Sequence, residues 1–286
     1  ARGYAAGRPM YGREEEIPAA VQDSLRAEAV AKAAEADVVV FVGGLNKNHF
    51  QDCEGGDRLH YELPFGQDAV IEALMQANPN LVVANITGNA YAMPWADKVP
   101  AIMHVSYLGT MGGASMADAI SGAVNPSGKM PYSIPVSLAD CGAHSFGVNA
   151  YPGVESEEGD VLFGVCAPQE QYSEDILVGY RWHDTKKIPA RYAFGHGLSY
   201  TTFAYGKPVL SAKEMTADGS LTVTVPVTNT GTREGAEVVQ MYVGDDKASV
   251  LRPRKELKGF EKIVLAPGET RDVSFTIPPE MLAFFD

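Results

Sequence analysis

The spacing of apolar residues in the first half of the chain switches between that of a helix and that of a strand. Within Ile17–Ala36, apolar residues recur every four positions, at Val21, Leu25 and the two alanines that follow at the same interval. This spacing predicts a helix with one apolar face. The next segment, Asp37–Val42, is apolar at nearly every position. Such a run predicts a strand that is covered on both faces, as in a parallel sheet.

The same alternation continues along the chain. Gln67–Ala77 has a helical pattern, and Leu81–Ile86 and Ala101–Val105 are short apolar runs that predict two further buried strands. A second helical pattern follows at Ala114–Ser121. Strands that alternate with helices predict an open α/β/α sandwich with a mostly parallel sheet.

Towards the end of the chain, apolar residues occur at every second position instead. In Leu221–Val227 they alternate with Thr and Pro, which predicts a strand with one buried face. Pro226 cannot donate a ladder hydrogen bond, so we expect this strand to lie at an edge or to carry a bulge. Further strands are predicted at Val238–Val243 and Val273–Ile277. Short strands separated by Gly- and Pro-containing turns predict a β-sandwich.

Between these two regions, residues 136–193 show no clear periodicity and are rich in Gly, Pro and Ser. We interpret this stretch as an ordered connection between the domains. Asp175 and Arg181 flank apolar residues of a predicted strand within it, and we expect them to form an ion pair between the domains. The predicted organisation is an α/β sandwich domain over residues 1–165, a wrapping linker over 166–194 and a β-sandwich domain over 195–286. The last of these is short for a β-sandwich, so we expect it to be truncated.

Charge and composition exclude several classes of function. The formal net charge is −13, and no basic stripe is present, so we expect no nucleic-acid partner. No uncharged apolar run reaches about 18 residues, so no membrane-spanning helix is expected. The histidines lack metal-site spacing, and we expect no metal or organic cofactor. Cys141 and Cys166 could pair in an oxidising compartment, leaving Cys53 over; alternatively all three are free thiols.

The segment after the first predicted strand carries the chain's most informative polar residues. Asp52, Glu54 and Asp57 lie within six residues, with Arg58 beside them and paired glycines before and within the segment. Open α/β sheets bind ligands at the carboxyl ends of their strands, where this segment is expected to lie. Arg58 could pair with Asp57 and stiffen the loop, which leaves Glu54 to act on a ligand. Spacing alone is equally consistent with a solvated acidic loop, whereas its carboxylates disfavour nucleotide binding.

Other polar and aromatic residues have weaker claims to a functional role. His196, between two glycines, is expected to be structural, while His49 or His60 could line a sugar subsite beside the acidic segment. Trp95 and Trp182 could stack on sugar rings, but packing in the core is the commoner role of tryptophan.

Several short motifs occur in the order found in one enzyme family. The matching stretches are Gly43–Asn46, Glu54–Arg58, Leu63–Pro64, Met93–Trp95, Gly112–Ala114, Asn125–Pro131, Val178–Arg181, Phe194–Phe203, Arg252–Pro253, Lys255–Phe260 and Leu265–Glu269. Together they resemble the C-terminal portion of family 3 glycoside hydrolases, many of which are β-glucosidases. The last three resemble the family's fibronectin type III-like domain.

The resemblance implies a function for the acidic segment. Glu54 matches the family's general acid/base, with Asp57 and Arg58 supporting its loop; substrate-binding residues are not indicated. The family's nucleophile is an Asp on a preceding (β/α)₈ barrel, and such a barrel takes about 250 residues. We therefore expect this chain to lack the nucleophile and to be inactive alone.

The resemblance also implies a substrate and a partner. We expect the chain to be part of a retaining β-glucosidase that acts on a β-glucoside or oligosaccharide substrate. Its partner would be the missing N-terminal (β/α)₈ barrel. The enzyme is expected to be periplasmic or secreted. Alternative substrates are those of a β-xylosidase or, less in keeping with the Glu54 loop, an N-acetylglucosaminidase. An alternative from another class is a non-catalytic carbohydrate-binding or interaction module.

Overall fold

The computed structural model describes residues 18–46, 52, 60–154, 161–162, 165–166 and 168–284. The α-helices are α1 (Ala19–Glu35), α2 (Gln67–Ala77), α3 (Gly112–Ser121), α4 (Gly142–Ser145) and α5 (Tyr180–Lys186). The strands are β1 (Val39–Gly44), β2 (Leu81–Ile86), β3 (Ala101–Val105), β4 (Ile134–Pro135), β5 (Val161–Leu162), β6 (Val165–Cys166), β7 (Ala190–Tyr192), β8 (Phe203–Tyr205), β9 (Val209–Leu210), β10 (Leu221–Asn229), β11 (Gly235–Val243), β12 (Glu256–Leu265) and β13 (Thr270–Ile277). Short 3₁₀ turns lie at Pro64–Gly66, Gly109–Met111, Leu138–Asp140 and Pro279–Met281.

These elements form two compact units. The first, here the α/β unit, contains residues 1–110 and 134–174; the second, the sandwich unit, contains residues 111–133 and 175–286. Helix α3 and the residues after it therefore belong with the β-sandwich, although the chain returns to the α/β unit in between. The domain boundaries drawn from sequence stay predictions. None of the described helices is long and apolar enough to cross a membrane.

The α/β unit is built on a parallel sheet in the order β1-β2-β3. All three strands and helix α2 occur where the apolar pattern predicts them, with ends shifted by two residues at most. Helix α2 packs on one face of the sheet through Ile71 and Leu74, which are buried together with Leu81 and Val83 of β2. The predicted α/β class with a parallel sheet is confirmed.

The opposite face of strand β1 is open. Val40 and Val42 point to the face opposite Phe41, and their side chains are 43% and 58% exposed. The expectation that this apolar run is covered on both faces is therefore wrong for the described part of the chain. On helix α1, Val21 and Leu25 are also exposed and only Ala33 is buried, so the predicted apolar face is largely uncovered.

The sandwich unit buries its apolar residues between two antiparallel sheets. One sheet has the order β13-β10-β8, with β9 also paired to β10, and the other consists of β11 and β12. The core between them contains Val227, Val239, Ile263, Leu265 and Val273, all almost completely buried. The alternation of buried and exposed positions follows from the two-residue period of a strand. The predicted β-sandwich is confirmed.

Pro226 lies in a central strand, not at an edge. Its strand, β10, pairs with β13 on one side, where Pro226 stands opposite Asp272. On the other side β10 pairs with β8 and then with β9, and Gly206 between them donates its N–H to the Pro226 carbonyl over 2.8 Å. A Cβ on Gly206 would lie 2.5 Å from Pro226 Cγ. The neighbouring strand is therefore interrupted beside the proline, which needs no partner there.

The ion pair predicted between Asp175 and Arg181 does not form. Arg181 lies in helix α5, not in a strand, and its Nη2 is 3.1 Å from Glu256 Oε1. Glu256 also accepts from Arg252 Nη2 over 2.7 Å. The correct partner lies 75 positions along the chain, on strand β12, and local sequence gives no indication of it.

Candidate active site

The acidic segment leaves the sheet at a tightly held point. Gly44, the last residue of β1, has φ +121°, and a Cβ there would overlap the Ile86 carbonyl of β2. The Gln67 side chain accepts from Gly44 N over 2.8 Å and donates to Gly44 O over 2.9 Å. The first residue of α2 thus clamps the carboxyl end of β1. Leu45 then donates its N–H to Ile86 O over 2.8 Å and is buried.

The end of the segment is also held in place. Tyr61 is buried and donates its hydroxyl to Pro135 O over 2.9 Å, and its carbonyl accepts from Ala92 N over 2.9 Å. Leu63, which precedes the Pro64–Gly66 turn, is buried as well. These contacts return the chain to the start of α2. Leu45 and Tyr61, which flank the acidic segment, are therefore both fixed to the α/β unit.

Asp52, inside the acidic segment, is bound to the carboxyl ends of the next two strands. Its Oδ2 accepts from Gly88 N over 2.6 Å and from the Tyr107 hydroxyl over 2.7 Å, and its Oδ1 accepts from Asn89 Nδ2 over 2.9 Å. Gly88 and Asn89 follow β2, and Tyr107 follows β3. Three donors on one carboxylate form a strong anchor, because hydrogen bonds to ionised groups are stronger than those between neutral groups.

Glu54, Asp57 and Arg58 lie outside the described residues, as does His49. The roles predicted for them therefore stay predictions. What the described residues provide is the position of Asp52, two residues before Glu54, at the carboxyl edge of the parallel sheet. This is the edge at which open α/β sheets place their ligands. His60 is described and exposed.

A buried polar cluster lies near the same edge and was not found from sequence. Asn85 in β2 and His104 in β3 are partners in the sheet register. Asn85 Nδ2 donates to the Tyr91 hydroxyl over 3.2 Å, and the Tyr91 ring stacks on His104 with 5.9 Å between centroids. Burial lowers the pKa of His104 and favours the neutral imidazole. The available signal was a polar residue inside each of two apolar strands.

Trp95 belongs to the core of the α/β unit. It is completely buried, and its indole Nε1 donates to Asp68 Oδ1 over 2.7 Å. Burial raises the pKa of Asp68, although the hydrogen bonds from Trp95 and from the Leu63 backbone oppose that rise. The packing role expected for Trp95 is confirmed, and a sugar cannot stack on a ring without exposed surface.

Trp182 and His196 are two further described candidates, and the structural role expected for His196 stays a prediction. Trp182 is buried in helix α5. The backbone of His196 is paired in both directions, with its carbonyl accepting from Met130 N over 2.7 Å and its N–H donating to Ala193 O over 3.0 Å. Burial lowers the pKa of its imidazole, with a smaller contribution from Lys129. Cys141 is a free thiol. No group of three His, Cys, Asp or Glu among the described residues is placed to hold a metal ion.

Comparison with known proteins identifies the family. Residues 3–200 match the model of the glycosyl hydrolase family 3 C-terminal domain, and residues 237–286 match that of a fibronectin type III-like domain. The chain belongs to glycoside hydrolase family 3. The first match covers the loop anchored by Asp52, and the second covers most of the sheet formed by β11 and β12 together with β13.

Similar proteins in this family are β-glucosidases. A β-glucosidase of Bacteroides ovatus is 56% identical over 286 residues, which are 100% of this chain and 37% of the relative. A β-glucosidase of Rhizobium radiobacter is 44% identical over 91% of this chain and 30% of its own length. The chain therefore spans about a third of the length of the curated relatives it matches.

Solved structures show the same fold. The β-glucosidase DesR from Streptomyces venezuelae, in complex with D-glucose, is 36% identical with a TM-score of 0.81, covering 94% of this chain and 32% of that one. A family 3 β-glucosidase from Bifidobacterium adolescentis is 35% identical with a TM-score of 0.82, covering 96% and 38%. The family resemblance and the fibronectin type III-like domain predicted from sequence are confirmed.

Proposed function

We propose that this chain is the part of a retaining β-glucosidase that supplies the general acid/base, Glu54. The observation that carries the proposal is the anchoring of Asp52 at the carboxyl ends of β2 and β3, in a chain that belongs to family 3. Glu54 lies two positions after Asp52 in the chain. Asp52 thus lies at the edge of the sheet where open α/β sheets bind their ligands, which supports a ligand-facing role for the neighbouring Glu54.

The reaction would be a double displacement. A carboxylate nucleophile attacks the anomeric carbon and forms a glycosyl-enzyme, while Glu54 donates its proton to the oxygen of the leaving alcohol. Glu54, now a carboxylate, then removes a proton from the water that releases the glucose. The two carboxyl groups of such a pair lie about 5–5.5 Å apart.

The nucleophile and most contacts to the sugar ring would come from a preceding (β/α)₈ barrel. The supporting observation is that the chain spans 37% of the length of a 56% identical β-glucosidase. Asp52 is a poor substitute for the nucleophile, since its carboxylate already accepts three hydrogen bonds. A periplasmic or secreted location for the enzyme stays a prediction.

The test compares the chain with the complete enzyme that contains it, using aryl β-glucosides. We expect no turnover by the chain alone. In the complete enzyme, Glu54→Gln should lower kcat/KM on a poor leaving group by about 10²–10⁴-fold, the usual contribution of a positioned acid or base. Azide, which attacks without a general base, should restore turnover of an activated aryl glucoside and give the β-glucosyl azide.

The matched control is Glu62→Gln, an exposed glutamate at the end of the same loop, which should leave kcat/KM within about twofold. Turnover by residues 1–286 alone that is abolished by Glu54→Gln would show that the chain holds a complete site. Full activity of the Glu54→Gln enzyme on poor leaving groups would remove the acid/base assignment.

A second candidate, a non-catalytic carbohydrate-binding module, rests on a cleft in the sandwich unit. This cleft has a volume of about 160 Å³, and its lining includes Tyr180, Phe194 and Tyr242 together with Asp184 and Lys255. Lys255 Nζ lies 3.2 Å from Asp184 Oδ2 and 5.0 Å from the centre of the Tyr242 ring. Aromatic rings beside paired charges suit a polyhydroxylated ring. Oligosaccharide binding that is lost in Tyr242→Ala, without turnover in any form of the protein, would favour this function.

A further inference from the structure

Asp52 is the described residue nearest to Glu54 in the chain, and its carboxylate accepts three hydrogen bonds. Gly88 N, Asn89 Nδ2 and the Tyr107 hydroxyl all donate to it, over 2.6, 2.9 and 2.7 Å. These donors come from the ends of two different strands. Such a carboxylate has little capacity left for a substrate hydroxyl, which argues for a role in holding the loop.

The donors are arranged closely around the carboxylate. A Cβ at Gly88 would lie 2.6 Å from Asp52 Oδ2 and 3.0 Å from Tyr107 Cε2. Position 88 therefore accepts no larger residue without moving Asp52 or Tyr107. The close approach of Gly88 is what allows its backbone N–H to reach the carboxylate.

We propose that Asp52, held by Gly88, Asn89 and Tyr107, is a positioning residue that sets the location of Glu54 for proton transfer to the leaving group. This inference rests on the proposed function. Asp52 lies two residues from Glu54, so a displaced carboxylate at position 52 shifts the backbone that carries the acid. A displacement of about 1 Å can cost about 10²-fold in rate when a reacting group must be aligned.

The role of a positioning residue can be separated from a general structural role by varying the leaving group. Proton donation limits the reaction of alkyl β-glucosides, whose leaving groups need the acid, and matters little for 2,4-dinitrophenyl β-glucoside, whose leaving group departs as an anion. Asp52→Asn in the complete enzyme should lower kcat/KM on the alkyl substrate by about tenfold to hundredfold. On the dinitrophenyl substrate the loss should stay within about threefold.

Two further variants separate position from charge. Tyr107→Phe removes one donor and keeps the ring, so it should show the same substrate dependence with a smaller loss. Gly88→Ala keeps the Asp52 charge but crowds its Oδ2, and should reproduce the effect of Asp52→Asn. Asp37→Asn and Tyr172→Phe, both at exposed positions of the α/β unit, serve as matched controls with no substrate-dependent loss.

A measurement independent of activity uses hydrogen exchange. In the 286-residue chain, the Gly88 amide should exchange faster in Asp52→Asn than in the unsubstituted protein, because its acceptor becomes neutral. Tyr107→Phe should change the same amide less, and the two controls should not change it.

The outcomes distinguish this inference from the proposed function. Suppose that Glu54→Gln abolishes acid catalysis, so that the proposed function holds. The positioning role would then be overturned if Asp52→Asn lost the same activity on both substrates. It would also be overturned if Asp52→Asn left both the kinetics and the exchange of the Gly88 amide unchanged. If Glu54→Gln itself leaves the alkyl substrate unaffected, the proposed function fails and the positioning role fails with it.

Discussion

Val227 in strand β10 and Val42 in strand β1 are the same residue type, and β1 is the more continuously apolar strand, yet Val227 is completely buried and Val42 is 58% exposed. The sandwich unit supplies both sheets that enclose Val227. The α/β unit supplies helix α2 on one face of its sheet, and in the described residues the other face of β1 is uncovered. An apolar run therefore predicts that a strand will be buried, but it does not show whether the same unit supplies the residues that cover it.

The exposed valines Val40 and Val42 contribute less to the stability of the α/β unit than buried valines would. Apolar surface contributes to stability at about 25 cal/mol for each Å² removed from water. In the sandwich unit the inward-facing valines and leucines of the core strands are buried, whereas strand β1 leaves Val40 and Val42 exposed. The stability of the sandwich unit should therefore be more sensitive to the truncation of apolar side chains in its strands.

The largest expected effect is that of Leu265→Ala in the sandwich core. Leu265 is completely buried among β10, β11 and β13, so its truncation leaves a cavity. The free energy of unfolding of the sandwich unit should fall by about 3 kcal/mol. Hydrogen exchange of peptides from β10 to β13, measured beside peptides from β1 to β3, locates the change.

The control for this substitution is its neighbour Val264, which points outward and is 50% exposed. Val264→Ala should change the unfolding free energy by no more than about 0.5 kcal/mol. Equal effects at positions 264 and 265 would contradict the closed core of the sandwich unit.

An intermediate effect is expected for Glu256→Gln. Burial alone would raise the pKa of Glu256, but the hydrogen bond from Arg252 and the charges of Lys258 and Arg181 outweigh burial and hold this pKa below its usual value. At pH 7 the substitution should cost about 2 kcal/mol, since it leaves these cations around a neutral group. A lowered pKa stabilises the folded protein above the unfolded-state pKa of about 4.3, and this contribution is lost as the pH falls through the folded-state value.

Denaturant unfolding of both proteins between pH 7 and pH 3 measures this difference. The two stabilities should converge in acid. Glu261→Gln, at an exposed position of the same strand, provides a control that should show little difference at any pH. A cost for Glu256→Gln that is constant across this range would show that the charge of Glu256 is not what stabilises the sandwich unit.

The smallest effect is expected for Val42→Thr on strand β1. Threonine has nearly the same shape, and its hydroxyl can reach water at this exposed position, so the unfolding free energy should change by no more than about 0.5 kcal/mol. At the buried Val227 the same substitution places a hydroxyl in an apolar core and should cost about 1–3 kcal/mol. If the two substitutions in the 286-residue chain cost the same, the contrast between the two units is wrong.

Much of the fold could be predicted from the sequence because the elements obey local rules. The three parallel strands, helix α2 and strands β10, β11 and β13 of the sandwich were predicted from the spacing of apolar residues, which depends only on the periods of helix and strand. Strand β12 was not predicted. The predictions that were wrong concern which elements lie beside one another in the folded chain. The strand of Pro226 was expected at an edge or with a bulge, but it is central, and a break in the neighbouring strand accommodates the proline.

The candidate site divides in the same way. The sequence indicated that the acidic loop would emerge at the carboxyl end of β1, because strand and loop are adjacent in the chain. It did not indicate that Asp52 would bind Gly88 and Tyr107, which lie 36 and 55 positions away. The assignment of Glu54 depended on the family motifs, since spacing alone did not distinguish a catalytic acid from a solvated carboxylate.

By itself, the sequence determined the class of most elements, the order of the two folds and the family to which the chain belongs. Those properties follow from the periodicity of apolar residues and from motifs that are contiguous in the chain. Only the tertiary structure decided which apolar faces are covered, which cation meets Glu256 and which donors hold Asp52. Such contacts join residues far apart in the chain, and local periodicity contains no information about which distant elements will meet.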